Sequence, residues 1–63
     1  MMPLETLIQA VGREYKREQR PIYIWIHFDN QRISWALSTD RKAHIAPPDF
    51  IYNGPDWLRQ VNS

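Results

Sequence analysis

Leu4, Leu7, Ile8, Val11 and Tyr15 recur at the 3.6-residue period, and this single apolar stripe predicts an amphipathic helix over residues 3 to 19. Pro3 suits the first helical turn, where its missing N–H costs nothing, and Glu5 suits the positive end of the helix dipole. Arg13, Lys16, Arg17 and Arg20 gather towards the other end, and Arg20-Pro21 ends the helix because the residue before proline is pushed out of the α region. Gly12 lies at the margin of the stripe and costs about 1 kcal/mol relative to alanine. Two explanations of it compete: close approach of the helix to a sheet, or a tolerated weak spot.

From Pro21 the period becomes two. PIYIWIHF, residues 21 to 28, alternates Ile22, Ile24, Ile26 and Phe28 with Tyr23, Trp25 and His27. DNQR is a turn, and ISWALS starts a second strand over residues 33 to 39, with Ile33, Trp35 and Leu37 alternating. A loop of two or of four residues keeps the parity and places Ile22, Ile24, Ile26 and Phe28 on one face with Ile33, Trp35 and Leu37. That face is the expected core, with the helix as its cover.

TDRK is a second polar turn, and AHIA, residues 43 to 46, is compatible with a short third strand cut off by Pro47-Pro48. APPDF favours an extended arm that lays Phe50 and Tyr52 on the sheet. Asn53-Gly54 signals a turn, and Pro55-Asp56 fits the start of a short helix over residues 55 to 61 that docks through Trp57, Leu58 and Val61. The expected fold is thus α+β in one small domain spanning residues 1–63. An N-terminal helix packs on an antiparallel hairpin or three-stranded meander, followed by a Pro-rich arm and a short C-terminal helix.

Size sharpens this picture. A chain of 63 residues buries only about 60% of the surface that its unfolded form exposes. Without cysteine, disulfides and thiolate zinc sites are excluded, and the two histidines have no ligand spacing that suggests a metal. Binding to a partner or to itself remains as a way to add stability. Eight basic against seven acidic residues give a net charge of +1, which does not mark a bulk binder of nucleic acid or membrane. The N-terminal residues carry no basic segment followed by a long apolar run, so the expected location is cytoplasmic.

Candidate chemistry is sparse. His27 and His44 could form an acid–base pair with a carboxylate, but a histidine beside tryptophan on a sheet is more often a packing residue. Gly12 and Gly54 are the only glycines and form no phosphate loop, and Ser34, Ser38 and Thr39 lack a nucleophile-elbow setting. No cofactor and no enzymatic activity are expected.

The unusual feature is the aromatic face of Tyr23, Trp25 and His27. It could be covered by the chain's own DFIY arm and C-terminal helix, meet a protein partner, or stack nucleic-acid bases. The leading expectation is a small non-enzymatic interaction module, a regulator or accessory subunit that binds another protein or a second copy of itself. Tyr23, Trp25, His27, Tyr52 and Trp57 would be its contact residues, with Arg17 and Arg20 at the rim. The alternative is a nucleic-acid-binding module, with Tyr23 and Trp25 stacking and Arg32, Arg41 and Lys42 reaching phosphates.

Overall fold

The computed structural model describes the backbone of residues 3–54 and 56–59 and the side chains of residues 4–54. Helix α1 (Pro3–Glu18) is followed by strands β1 (Ile22–Asp29), β2 (Arg32–Ser38), β3 (Phe50–Asn53) and β4 (Asp56–Arg59). The strands form one antiparallel sheet in the order β2-β1-β3-β4. The α+β class, the N-terminal helix and the hairpin match the reading of the sequence.

Helix α1 stops one residue earlier than predicted. Gln19 takes a left-handed φ of 54° and donates its N–H to the Tyr15 carbonyl at 2.7 Å, which closes the last turn. Its side-chain amide donates to the Lys16 carbonyl at 3.1 Å, so a glutamine fills a position where glycine is the usual choice.

The hairpin loop has two residues. Asn30 and Gln31 have φ of 49° and 63°, the left-handed pair of a type I′ turn, whose twist matches that of the flanking strands. The resulting register sets Ile24 opposite Leu37, Ile26 opposite Trp35 and Phe28 opposite Ile33, as the parity requires. On the other side of β1, Ile22 lies opposite Tyr52 and Ile24 opposite Phe50, so β3 adds Phe50 and Tyr52 to the same face.

α1 covers this face. Leu7, Val11, Ile22 and Ile24 are buried at its centre, ringed by Tyr15, Ile26, Trp35, Leu37, Phe50 and Tyr52. Phe28 departs from expectation: it shares the face but is 68% exposed, because it lies beyond the packed part of the sheet. Gly12 also departs from one expectation. Among the described residues a Cβ there would meet nothing within 4 Å, which favours the weak-spot reading over close approach. Gly54 is the tight position. A Cβ there would sit 2.8 Å from Cε2 of Tyr15, whose ring stands edge-on to Tyr52 at 5.2 Å between centroids.

Three further expectations need correction. Residues 43–46 are not a strand; they belong to the connection from β2 to β3. DFIY is not an arm laid across the sheet, since Phe50–Asn53 is a strand within it, hydrogen-bonded beside β1. Residues 56–59 of the predicted C-terminal helix form strand β4 instead, pairing with β3; residues 55, 60 and 61 lie outside the described residues. Pro55-Asp56 fits a hairpin turn as well as a helix start, and pairing with β3 satisfies the backbone donors that a single helical turn would leave open.

Candidate interaction surface

The sheet order explains what covers the aromatic face. β2 and β3 both run antiparallel to β1 and flank it, so the connection between them must cross one face of the sheet. α1 occupies one face, which leaves residues 39–49 to cross the side carrying Tyr23, Trp25 and His27. The crossover begins in a turn nucleated by Asp40. Its N–H donates to Ser38 Oγ, its carboxylate accepts the Lys42 N–H, and its carbonyl accepts the Ala43 N–H.

Trp25 anchors the crossover. Its indole Nε1 donates to the Ala46 carbonyl at 2.8 Å, and the His44 ring lies against it with centroids 4.5 Å apart. Trp25 is 8% exposed, and Pro48 is fully buried. The chain therefore covers this aromatic itself, through His44 and Ala46 of the crossover. Loss of Trp25 would remove core, which makes it unsuitable as an open stacking platform.

Asp49 completes the closure. Its N–H donates to the Ile24 carbonyl at 2.8 Å, and its carboxylate accepts the Ile26 N–H, also at 2.8 Å. A side chain thereby extends the β1–β3 ladder by one bond where Pro47-Pro48 cannot continue it, since proline has no N–H to donate. Asp49 is not among the residues expected to matter, although a carboxylate directly after two prolines at a strand start is a recognisable way to satisfy a neighbouring donor.

Between the crossover and the sheet lies a cleft of about 430 Å³, whose lining includes Trp25, His27, Ser34, Ala36, His44 and Asp49. It brings together both imidazoles, a hydroxyl and a carboxylate. Among the described residues, however, neither imidazole is hydrogen-bonded to Ser34 or Asp49, and Asp49 Oδ2 is committed to the Ile26 N–H. Among the same residues, no group of three or more His, Asp or Glu side chains is placed to hold a metal ion.

Of the other expected contact residues, Tyr23 and His27 share this face with Trp25. Tyr23 is half-buried and His27 exposed, on the crossover side. Tyr52 is on the helix side against Tyr15, and Trp57 lies in β4 in register with Tyr52. Arg17 pairs with Glu14 and Glu18 along the helix, and Arg20 is exposed after it. Arg32, at the hairpin end, and Arg41 and Lys42, in the crossover, are exposed.

A second cavity is more distinctive. Leu4, Leu7, Ile8, Ile26 and Phe50 line a groove of about 280 Å³ between the first turns of α1 and the sheet. Every one of these side chains is apolar. β1 is eight residues long, but β3 pairs with it only from Ile22 to Ile24. Beyond Asp49 the distal half of β1 has no strand neighbour on that side among the described residues. The floor beneath the helix therefore narrows, and Leu4 (61% exposed) and Ile8 (48%) overhang it. Phe28 and Ile33, directly opposed on the hairpin, continue the apolar surface past the groove.

Leu4 and Ile8 belong to the predicted core stripe, yet the shortness of β3 leaves them exposed. Among the described residues, five large apolar side chains are exposed, Leu4, Ile8, Phe28, Ile33 and Ile45, as many as the five that are buried. Four of those five exposed residues are on the helix side of the fold and surround one end of it. Also among the described residues, no helix is long and apolar enough to cross a membrane. Comparison with protein-family models, curated proteins and solved structures finds no match to this chain.

Proposed function

We propose that the chain is a small non-enzymatic protein-interaction module, a regulator or accessory subunit, that receives apolar side chains of a protein partner in the groove between α1 and distal β1. The observation that carries this reading is the wholly apolar lining of the groove, Leu4, Leu7, Ile8, Ile26 and Phe50, set beside a stretch of strand unpaired among the described residues. Contiguous exposed apolar surface of this kind marks interaction sites in small proteins, and an unpaired strand segment adds main-chain groups that an extended segment can meet. A core this small also gains stability when a partner completes it.

The groove takes the place of the aromatic sheet face as the contact surface, because the crossover already covers Trp25. The nucleic-acid alternative loses its stacking platform for the same reason.

The test is affinity capture from a cell extract with the immobilised chain and its Ile8→Glu and Phe28→Glu variants, their folds checked by amide NMR. The reading expects a protein held by the wild type in high salt, since apolar contacts are little screened, and released by both variants. Retention by folded variants, or loss of all binding in high salt, would contradict it.

A further inference from the structure

We propose that β2 pairs with β2 of a second copy of this chain, forming a two-fold symmetric dimer with a continuous antiparallel sheet. This goes beyond the groove and uses the opposite edge of β1's hairpin. β2 ends the strand order, so its outer edge has no strand neighbour among the described residues. Proteins usually protect such an edge by shortness, proline, a bulge or central lysines. β2 has none of these. It is seven residues long, its register with β1 runs unbroken through seven residue pairs, and RISWALS carries one charge, at its first position.

The direction of its backbone groups follows from β1. Asp49 bonds the Ile24 carbonyl and the Ile26 N–H from the β3 side, so even-numbered β1 residues direct both backbone groups there. Odd-numbered β1 residues, Tyr23 to Asp29, turn theirs to β2 and bond Ser38, Ala36, Ser34 and Arg32. Ile33, Trp35 and Leu37 therefore direct their N–H and C=O groups outward. These three residues are symmetric about Trp35.

An antiparallel pairing centred on Trp35 sets Trp35 opposite its own copy and Ile33 opposite Leu37 of the second copy, so that every outward group on the three residues finds a partner. On the helix side, Ile33 (44% exposed), Trp35 and Leu37, the latter two half-buried, meet the same three residues in one apolar row. On the crossover side, Ser34 meets Ala36, which are small and uncharged. Arg32 meets Ser38 and lies diagonal to Asp40 of the second copy, and the two-fold repeats this opposite-charge arrangement at the other end. No like charges are opposed. This self-complementarity selects a second copy as the occupant.

The test begins with the solution mass of the wild type at high micromolar concentration, where twice the chain mass is expected. Because the chain contains no cysteine, register can be read by cross-linking. Position 34 faces position 36 of the other copy as a non-hydrogen-bonded pair, with Cα atoms about 4.5 Å apart, within disulfide reach. Ser34→Cys chains mixed with Ala36→Cys chains should therefore form a mixed disulfide under mild oxidation. Ser34→Cys alone should not, since the two copies of position 34 are diagonal, about 7–8 Å apart.

Ile33→Pro removes an outward N–H at a position where an edge strand tolerates proline, and should return the mass to that of one chain. A monomeric wild type overturns the proposal, as does a dimer in which the mixed pair fails to cross-link. A dimer lost in Ile8→Glu but kept in Ile33→Pro also overturns it and assigns the second copy to the groove. Capture of a partner by the groove is read separately, so either proposal can fail while the other stands.

Discussion

The two ends of the helix–sheet interface contrast sharply. At the C-terminal end of α1, Tyr15 is wedged against Tyr52 and Gly54, with Val11 and Ile22 wholly buried beside it. At the N-terminal end, Leu4 and Ile8 overhang a groove, with Phe28 exposed alongside. The apolar stripe runs the length of the helix, from Leu4 to Tyr15. What differs is the sheet below. Strands β2, β1 and β3 lie side by side near Ile22 to Ile24, whereas among the described residues distal β1 is paired with β2 alone. The cause is local: Pro47-Pro48 keeps β3 from starting earlier, and Asp49 supplies the last bond. Packing is therefore completed at one end and, among the described residues, left open at the other.

The two glycines sharpen this contrast, because the same substitution should act with opposite sign. Gly54→Ala pushes a Cβ into the Tyr15 ring and should lower stability by about 1–2 kcal/mol, as overpacking does. Gly12→Ala meets open space in a helix and should raise stability by somewhat less than about 1 kcal/mol, from helix propensity alone. Urea midpoints of the two variants provide the check. If Gly54→Ala were neutral, the closed end would be looser than its aromatic contacts imply. If Gly12→Ala were destabilising, a hidden contact would have to exist on that side of α1.

Local periodicity made the helix, the hairpin and the shared face of Ile22, Ile24, Ile26, Ile33, Trp35 and Leu37 legible, since each depends on neighbours a few residues away. The rest depends on contacts distant in sequence. FIYN was visible as apolar and extended, but only pairing with Ile22 to Ile24 makes it a strand. DWLR is too short to show a period, and its proline and aspartate fit either a helix start or a turn.

The cover over Trp25 follows from the strand order, which places a crossover on that face; no residue of AHIA announces it. The groove was hidden for a related reason. A stripe tells which residues face the sheet, but not how far the sheet extends beneath them. Leu4 and Ile8 keep the helical period of Leu7 and Val11, and only the stopping point of β3 separates them.

Leu7 and Ile8 permit the most direct test of this division. They are adjacent isomeric side chains on one turn of α1; Leu7 is 4% exposed and Ile8 48%. Urea unfolding of Leu7→Ala and Ile8→Ala, measured at a concentration low enough to exclude association, should separate them. Leu7→Ala is expected to cost about 2–5 kcal/mol, enough to leave so small a domain largely unfolded. Ile8→Ala should cost less than about 1 kcal/mol, its lost contacts partly offset by the better helix propensity of alanine. Equal costs for the two would contradict the account, because they would place Ile8 in a completed core and leave no groove for a partner to fill.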